Sequence, residues 1–282
     1  MNKFKQNSSN NFIVFIHIEK AAGTSFNHFL RNNISSYKTL NNPLFFSKKY
    51  QGIFTKKMLQ RLIQQYPNIK GIGGHTLRPY LDYESCIKNN NISYITFLRN
   101  PIDRYLSHFN YQNAVMGKDR KLEEFIEHEE FSNFQTKKIA GNNNIDEAKS
   151  ILTNDFDFVG TTEYFKESIQ LLIEKFPLIL NNNYIFNKNV ANISDYRYQH
   201  LTNISSDILN KIKNQNKNDL ILYDFVTNEL LAPNLNNSIR TNIVIINNNK
   251  FVQKTIFLLK SILLTIYKQY FEKIIVPHLY KN

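Results

Sequence analysis

Cysteine is nearly absent from this sequence. Cys86 is the single cysteine among 282 residues, and tryptophan does not occur. One cysteine excludes an internal disulfide framework and any cysteine-rich zinc or iron–sulfur site. The composition therefore suits a reducing compartment, where disulfides are rare.

Apolar runs long enough to cross a membrane are also missing. The most apolar late stretch, residues 255–267, is shorter than the roughly 18–20 residues that span a bilayer, and Lys260 interrupts it. The N-terminal residues 1–11 are polar, and the apolar run after them is too short for the core of a signal peptide. We therefore expect a soluble protein that is made in the cytoplasm.

Acidic residues are outnumbered by basic ones. Lys plus Arg is 35 and Asp plus Glu is 23, a net charge of +12. Such a field attracts an anionic small molecule or an acidic polymer, although much of it fits a solvated, Asn- and Lys-rich surface. No long Lys/Arg block occurs, so we expect no nucleic acid partner. The apolar, lysine-bearing helix predicted at 250–273 suits packing against the core or a second subunit, or a peripheral membrane contact.

Strands and helices alternate along the chain. Residues 12–18 form an apolar run with β-branched residues, typical of a strand buried on both faces of a parallel sheet. Further strands are predicted at 69–74, 92–98 and 156–160, and helices at 25–34, 55–66, 101–113, 120–131, 144–153, 163–176, 204–213, 216–231 and 250–273. This order predicts an α/β fold with a mainly parallel sheet over residues 1–235 and a helical C-terminal extension over 236–282.

The first strand leads into a turn of small residues, IEKAAGTS. Backbone N–H groups at the start of the following helix favour an anion, as does the positive end of the helix dipole. Ala22 and Gly23 let the backbone approach closely, Lys20 adds a mobile charge, and Thr24 and Ser25 add hydroxyl donors. The alternative is a tight turn in which Ser or Thr caps the helix. The GxxxxGK[ST] pattern is absent, which disfavours an ordinary ATPase or GTPase.

A second strand-to-helix turn occurs in LRNPIDRYLSH. Arg99 stands at the end of the strand, where ligands bind in open α/β sheets, and an arginine fork suits a terminal phosphate. Ser107 lies about two helical turns further on, a rise of ~12 Å, so both residues could face one phosphate. The alternative is that Arg99 pairs with acids such as Asp103, while Ser107 is an ordinary helix-surface residue.

Together the two turns resemble one enzyme family. HIEKAAGTSF resembles the HIPKTAGTSF-type 5′-phosphosulfate loop of sulfotransferases that use 3′-phosphoadenosine 5′-phosphosulfate (PAPS). LRNPIDRYLSHF is similar to the LRDPVERYLSHY-type 3′-phosphate segment of that family, in the branch of heparan sulfate 2-O-sulfotransferase and its bacterial relatives. Weaker similarities follow in the same order over residues 12–230: GGHTLRPY, FQTKKIAG, FVGTTEYFKESIQLL and LYDFV.

The resemblance implies a P-loop-like parallel sheet flanked by helices and an enzyme that moves a sulfuryl group from PAPS to an acceptor hydroxyl, with a carbohydrate as the expected acceptor. No metal is required. The residues implied for PAPS binding are Lys20, Ala22, Gly23, Thr24 and Ser25 at the 5′-phosphosulfate, and Arg99 and Ser107 at the 3′-phosphate. The implied catalytic residues are His75 as the general base and Lys20 as the stabiliser of the leaving oxygen.

Two features qualify these assignments. Glu19 stands where the family has proline, and a carboxylate beside a polyanion is unfavourable unless it points away or pairs with a base such as Arg78 or Lys20. The alternative for His75 is a turn histidine bonded to backbone. The next candidate bases are His17, more simply a packed residue that shapes the turn, and Glu19.

Two other classes of function stay open. A P-loop-like nucleotide or sugar kinase would bind ATP with magnesium. A non-catalytic module would bind an acidic polymer or a membrane surface through its basic face, lose binding with salt and need no donor. The identity of the acceptor and the oligomeric state are left open by the sequence.

Overall fold

Five parallel strands form the central sheet of the protein, in the order β2-β3-β1-β4-β5. A computed structural model describes residues 11–40, 52–87, 91–177 and 204–235, and the backbone of residues 185–186 and 244–245. The strands of the sheet are β1 Phe12–Ile16, β2 Tyr37–Thr39, β3 Gly71–Gly74, β4 Ile92–Leu98 and β5 Phe156–Thr161. In a separate pair, β6 Ile185–Phe186 runs parallel to β7 Val244–Ile245.

Helices connect and cover these strands. They are α1 Gly23–Asn33, α2 Lys56–Gln65, α3 Pro101–Ala114, α4 Leu122–Ile126, α5 Phe134–Ala140, α6 Ile145–Asn154, α7 Phe165–Lys175, α8 Ser206–Gln215, α9 Lys217–Phe225 and α10 Ala232–Leu235. A π-helical stretch, Val226–Leu231, joins the last two. The predicted α/β fold with a parallel sheet is therefore confirmed.

The central strand β1 is buried on both faces, as its unbroken apolar run predicts. Val14 packs into a cluster with residues of α2, α6 and α9 on one face. Phe15 packs on the other face with residues of α1 and α7, its ring 4.6 Å from that of Phe26. Both neighbours of β1 are parallel to it, so Ile16 lies beside Gly74 of β3 and Thr96 of β4.

Most of the remaining predicted elements occur close to their predicted bounds. Pro101 begins α3, and Asn100 caps that helix by accepting from the Ile102 N–H at 3.0 Å. The continuous helix predicted at 120–131 is wrong, because the chain turns after α4. The turn lets Phe131 stack on Phe125 at 4.3 Å between ring centroids, whereas six residues along a straight helix would put the two rings on different faces.

The pair β6–β7 and the short helix α10 were not predicted from the sequence, and neither were the edge strand β2 and the helix α5. β2 and α5 are three and seven residues long, too short for a clear period. The predicted helix at 250–273 lies outside the described residues, so its membrane contact stays a prediction. Within the described ranges, no helix has both the length and the hydropathy that a membrane span requires.

Candidate functional site

Three neighbouring strands end together and place the predicted residues at one edge of the sheet. His75 follows β3, His17 follows β1 and Arg99 follows β4. Because the strands are parallel and adjacent, their carboxyl ends meet at the same edge, where open α/β sheets bind ligands. The Thr96 hydroxyl donates to the Ile16 carbonyl at 2.8 Å and links β4 to β1 just before both turns.

The turn after β1 has an unusual backbone. Lys20 and Ala22 both have positive φ, 69° and 54°, a conformation that costs a non-glycine residue roughly 1–3 kcal/mol and concentrates at functional sites. Ala22 is the N-cap of α1 and provides no side-chain hydrogen bond to it. The alternative of a Ser or Thr cap is therefore wrong, because Thr24 and Ser25 are the second and third residues of the helix.

Gly23 and His17 determine each other's place in this turn. A Cβ atom on Gly23 would overlap the His17 imidazole. That ring is buried and stacks on His75 with 3.7 Å between centroids. Tyr37 donates to the Asn27 Oδ1 at 2.7 Å, and the Asn27 amide lies 3.3 Å from Nδ1 of His17. The amide therefore donates to Nδ1, and burial lowers the pKa of His17 well below its usual value. His17 is the packed residue that the sequence suggested.

Arg99 joins the two predicted anion-binding turns. Its Nη1 donates to the Lys20 carbonyl at 3.1 Å, and among the described residues it forms no ion pair with Asp103. The buried Gln135 side chain holds the Arg99 backbone on both sides, accepting from its N–H at 3.0 Å and donating to its carbonyl at 2.9 Å. Lys20 lies with Nζ 4.4 Å from the centroid of the Tyr111 ring. Burial, and then the Arg99 charge, lower the pKa of Lys20.

Ser107 lies on α3, the helix that follows Arg99 and Asn100, and is half-buried. Thr24 is exposed at the start of α1, and Ser25 beside it is half-buried. The structure therefore places the hydroxyl groups predicted to bind phosphate on the two helices that begin at this edge of the sheet.

His75 is bonded to backbone through one ring nitrogen. Its Nδ1 lies 3.1 Å from the His17 carbonyl, so Nδ1 carries the proton and Nε2 is the basic nitrogen. Burial lowers the pKa of His75, while the Glu19 carboxylate, 3.5 Å from Nδ1, acts in the opposite direction. A neutral imidazole with its proton held on Nδ1 is the form in which Nε2 can accept a proton at neutral pH.

Lys138 is the site residue that sequence analysis missed. The sequence led us to expect that Glu19 points away or pairs with a base such as Arg78 or Lys20; it does pair with a base, but that base is Lys138. Lys138 on α5, with 4% of its side chain exposed, places Nζ 3.4 Å from both oxygens of Glu19 and donates to the His75 carbonyl. Arg78 donates to the same carbonyl at 2.7 Å. The stretch FQTKKIAG was the only signal for α5, and it did not indicate a partner.

The charges of this group depend on one another. Burial lowers the pKa of Lys138 to about 8, although the Glu19 carboxylate acts to raise it. Burial raises the pKa of Glu19, but Lys138 and then His75 outweigh it, so that pKa lies below its usual value. Glu19 is therefore a carboxylate at neutral pH, with a cation on one side and an imidazole on the other.

α9 holds α5 in place from behind the site. The buried Asp219 carboxylate accepts from the backbone N–H groups of Gln135 at 3.0 Å and Thr136 at 2.7 Å, and from the Thr136 hydroxyl at 2.8 Å. A carboxylate at a helix N-terminus is stabilised by the free N–H groups and the dipole. Asp219 thus fixes the helix that presents Gln135 to Arg99 and Lys138 to Glu19.

Comparisons with known proteins do not assign this site. No protein-family model matches the sequence, and no curated protein matches it significantly. In the described part of the chain, no three His, Cys, Asp or Glu side chains are grouped as a metal site would require. The arrangement is thus two linked turns that are predicted to bind anions, a histidine beside them, and a pair formed by the half-buried Glu19 and the buried Lys138.

Proposed function

We propose that the protein is a sulfotransferase that transfers the sulfuryl group of PAPS to a hydroxyl group of a carbohydrate. The observation that supports this most is the hydrogen bond from Arg99 to the Lys20 carbonyl. It joins two turns of anion-binding character at one sheet edge. PAPS carries anionic groups at both its 5′ and 3′ positions, so it needs two such turns within one molecule's length, whereas ATP needs one.

The residues divide between the two ends of the donor. The first turn of α1, which no side chain caps at Ala22, would bind the 5′-phosphosulfate together with Lys20, Thr24 and Ser25. Arg99 and Ser107 would bind the 3′-phosphate. We assign the parallel sheet and its flanking helices to the P-loop-like sulfotransferase fold on the same grounds, and the carbohydrate acceptor on the resemblance of these segments.

The transfer breaks the bond between sulfur and the 5′-phosphate oxygen as the acceptor oxygen binds sulfur in line. The hydroxyl proton moves to Nε2 of His75, and 3′,5′-adenosine diphosphate leaves. Lys20 would stabilise the charge that develops on the leaving oxygen. His75 is suited to the role of base because the His17 carbonyl holds its proton on Nδ1.

Calorimetric titration with 3′,5′-adenosine diphosphate, AMP and ATP–Mg tests the proposal. We expect binding to require the 3′-phosphate and to weaken about ten- to hundredfold in Lys20→Ala and in Arg99→Ala, as for loss of a hydrogen bond to a charged group. Arg61→Ala removes an exposed charge on α2 and is the control.

Two outcomes would contradict the proposal. Binding of ATP–Mg without dependence on a 3′-phosphate would favour a nucleotide or sugar kinase. Binding of no nucleotide would favour the non-catalytic module that attaches to acidic polymers or membranes through its basic face. Once donor binding is established, oligosaccharides can be screened as acceptors of sulfate from PAPS.

A further inference from the structure

Glu19 is out of place in a site that binds an anion. Its carboxylate stands in the turn predicted to hold a phosphosulfate, and a quarter of its side chain is exposed. An acidic group there weakens the attraction for the donor. Instead of pointing away, Glu19 lies between His75 and the buried Lys138. A buried lysine also opposes folding unless its charge is compensated. The position of Glu19 and the burial of Lys138 therefore both call for a functional explanation.

The contacts bring both residues to His75. Glu19 Oε1 lies 3.5 Å from Nδ1, the ring nitrogen that carries the proton, and the basic nitrogen is Nε2. Lys138 Nζ contacts the carboxylate and also donates to the His75 carbonyl. The same lysine thus fixes the backbone of the histidine and the group beside its ring.

We propose that Glu19 and Lys138 are positioning residues for His75, with Glu19 stabilising the imidazolium and Lys138 holding both Glu19 and the His75 backbone in place. The catalytic consequence rests on the proposed function, in which Nε2 receives the acceptor proton. A carboxylate beside Nδ1 then faces the charge that forms, as in other histidine–carboxylate pairs. Lys138 keeps Glu19 ionised and prevents the pair from holding His75 protonated before the acceptor binds.

The groups that act on His75 come from every element packed around it: His17 after β1, Glu19 in the turn before α1, Arg78 after β3, His108 on α3 and Lys138 on α5. Glu19 raises the pKa of His75, whereas Lys138 and Arg78 lower it. Removal of Glu19 should therefore lower the pKa of His75, and removal of Lys138 should raise it. A purely structural role for either residue would not give this result.

The test is an NMR titration of the histidine ring signals in the full chain, without donor or acceptor, using His75→Gln to identify the signal of His75. In Glu19→Gln we expect the titration midpoint of His75 to fall, and in Lys138→Met we expect it to rise. Glu19→Asp should restore part of the shift. Lys138→Arg keeps the charge and should leave the midpoint near that of the wild type, which covers the case in which Lys138→Met does not fold.

Two control variants make the same kinds of substitution, Glu→Gln and Lys→Met, at residues that do not contact His75. Glu130 Oε1 also lies 3.5 Å from a histidine Nδ1, that of His128, but both side chains are exposed, so Glu130→Gln should not move His75. Lys137 is the neighbour of Lys138 on α5, and its Nζ donates to the Glu129 carbonyl. Lys137→Met should likewise leave His75 unchanged.

The titration needs no donor, so its result is independent of the proposed function. If the two variants shift the titration midpoint of His75 in opposite directions but the protein binds no 3′,5′-adenosine diphosphate, the positioning roles are supported and the sulfotransferase function is contradicted. No shift, or shifts in the same direction, would overturn the positioning roles even if the donor binds. If transfer is measured, the acid limb of kcat against pH should move as the midpoint of His75 moves.

Discussion

Replacement of Gly23 by alanine tests the geometry of the candidate site most directly. Alanine at a helix start is normally harmless, and in a helix interior it is favoured over glycine by up to about 1 kcal/mol. Here the added Cβ would overlap the His17 ring. That ring is held by its stack on His75 and its hydrogen bond with Asn27. Relief of the overlap must move the ring or the start of α1, and overpacking of this kind costs typically about 1–3 kcal/mol.

We therefore expect Gly23→Ala to lower the free energy of unfolding by about 2 kcal/mol, a fall of roughly 4–8 °C in Tm for a domain of this size. Urea unfolding followed by circular dichroism measures it. The same variant should weaken binding of 3′,5′-adenosine diphosphate, because the first turn of α1 is displaced.

A double-mutant cycle with His17→Ala isolates the cause. If the His17 ring is the obstacle, Gly23→Ala should cost much less in the His17→Ala background, and the coupling should be of the order of 1–2 kcal/mol. Gly117→Ala is the comparison, because a Cβ there meets no atom within 4 Å but must adopt φ +63°, and His17→Ala should not relieve its cost. A Gly23→Ala protein as stable as the wild type, with no coupling to His17, would refute the packing described here.

Three further predictions concern the support of the site. Asp219→Ala leaves three donors at the start of α5 without their acceptor and should cost roughly 2–4 kcal/mol in urea unfolding, more than Asp207→Ala on the exposed start of α8. Gln135→Met removes both hydrogen bonds to the Arg99 backbone and should reduce the free energy of nucleotide binding more than the free energy of unfolding. A calorimetric affinity equal to that of the wild type would show that Gln135 does not position Arg99 for binding. The pKa of Lys138 falls from 10.5 in the unfolded chain to about 8 in the folded protein, so between these pH values the unfolded chain binds more protons. The free energy of unfolding of the wild type, relative to that of Lys138→Met, should therefore rise with pH, by about 3 kcal/mol at most. A difference between the two proteins that does not change with pH would contradict the lowered pKa.

Local sequence patterns predicted the structure correctly where interactions between neighbouring residues determine it. The apolar run of β1, the proline that begins α3 and the helical spacing of α1 each predicted an element that the structure contains. The order of these elements also predicted a parallel sheet, because a strand that crosses over a helix returns in the same direction. That arrangement places the Lys20 and Arg99 turns at one edge before any side-chain contact is known.

Local patterns failed where distant residues compete for the same groups. The alternative of a capping hydroxyl at Thr24 or Ser25 is wrong because the backbone turns at Ala22, one residue before Gly23, and the His17 ring occupies the space beside Gly23. The turn after α4 was missed because the contact between Phe125 and Phe131 outweighs helix propensity.

The sequence by itself determined the class of fold and the position of the two turns, because strand burial and helix starts depend on near neighbours. Only the tertiary structure decided the electrostatics of the site. Lys138 meets Glu19 across 119 residues, and Asp219 meets Gln135 across 84. Such contacts depend on how α5 and α9 pack against the sheet edge, and no periodicity in the chain encodes that packing.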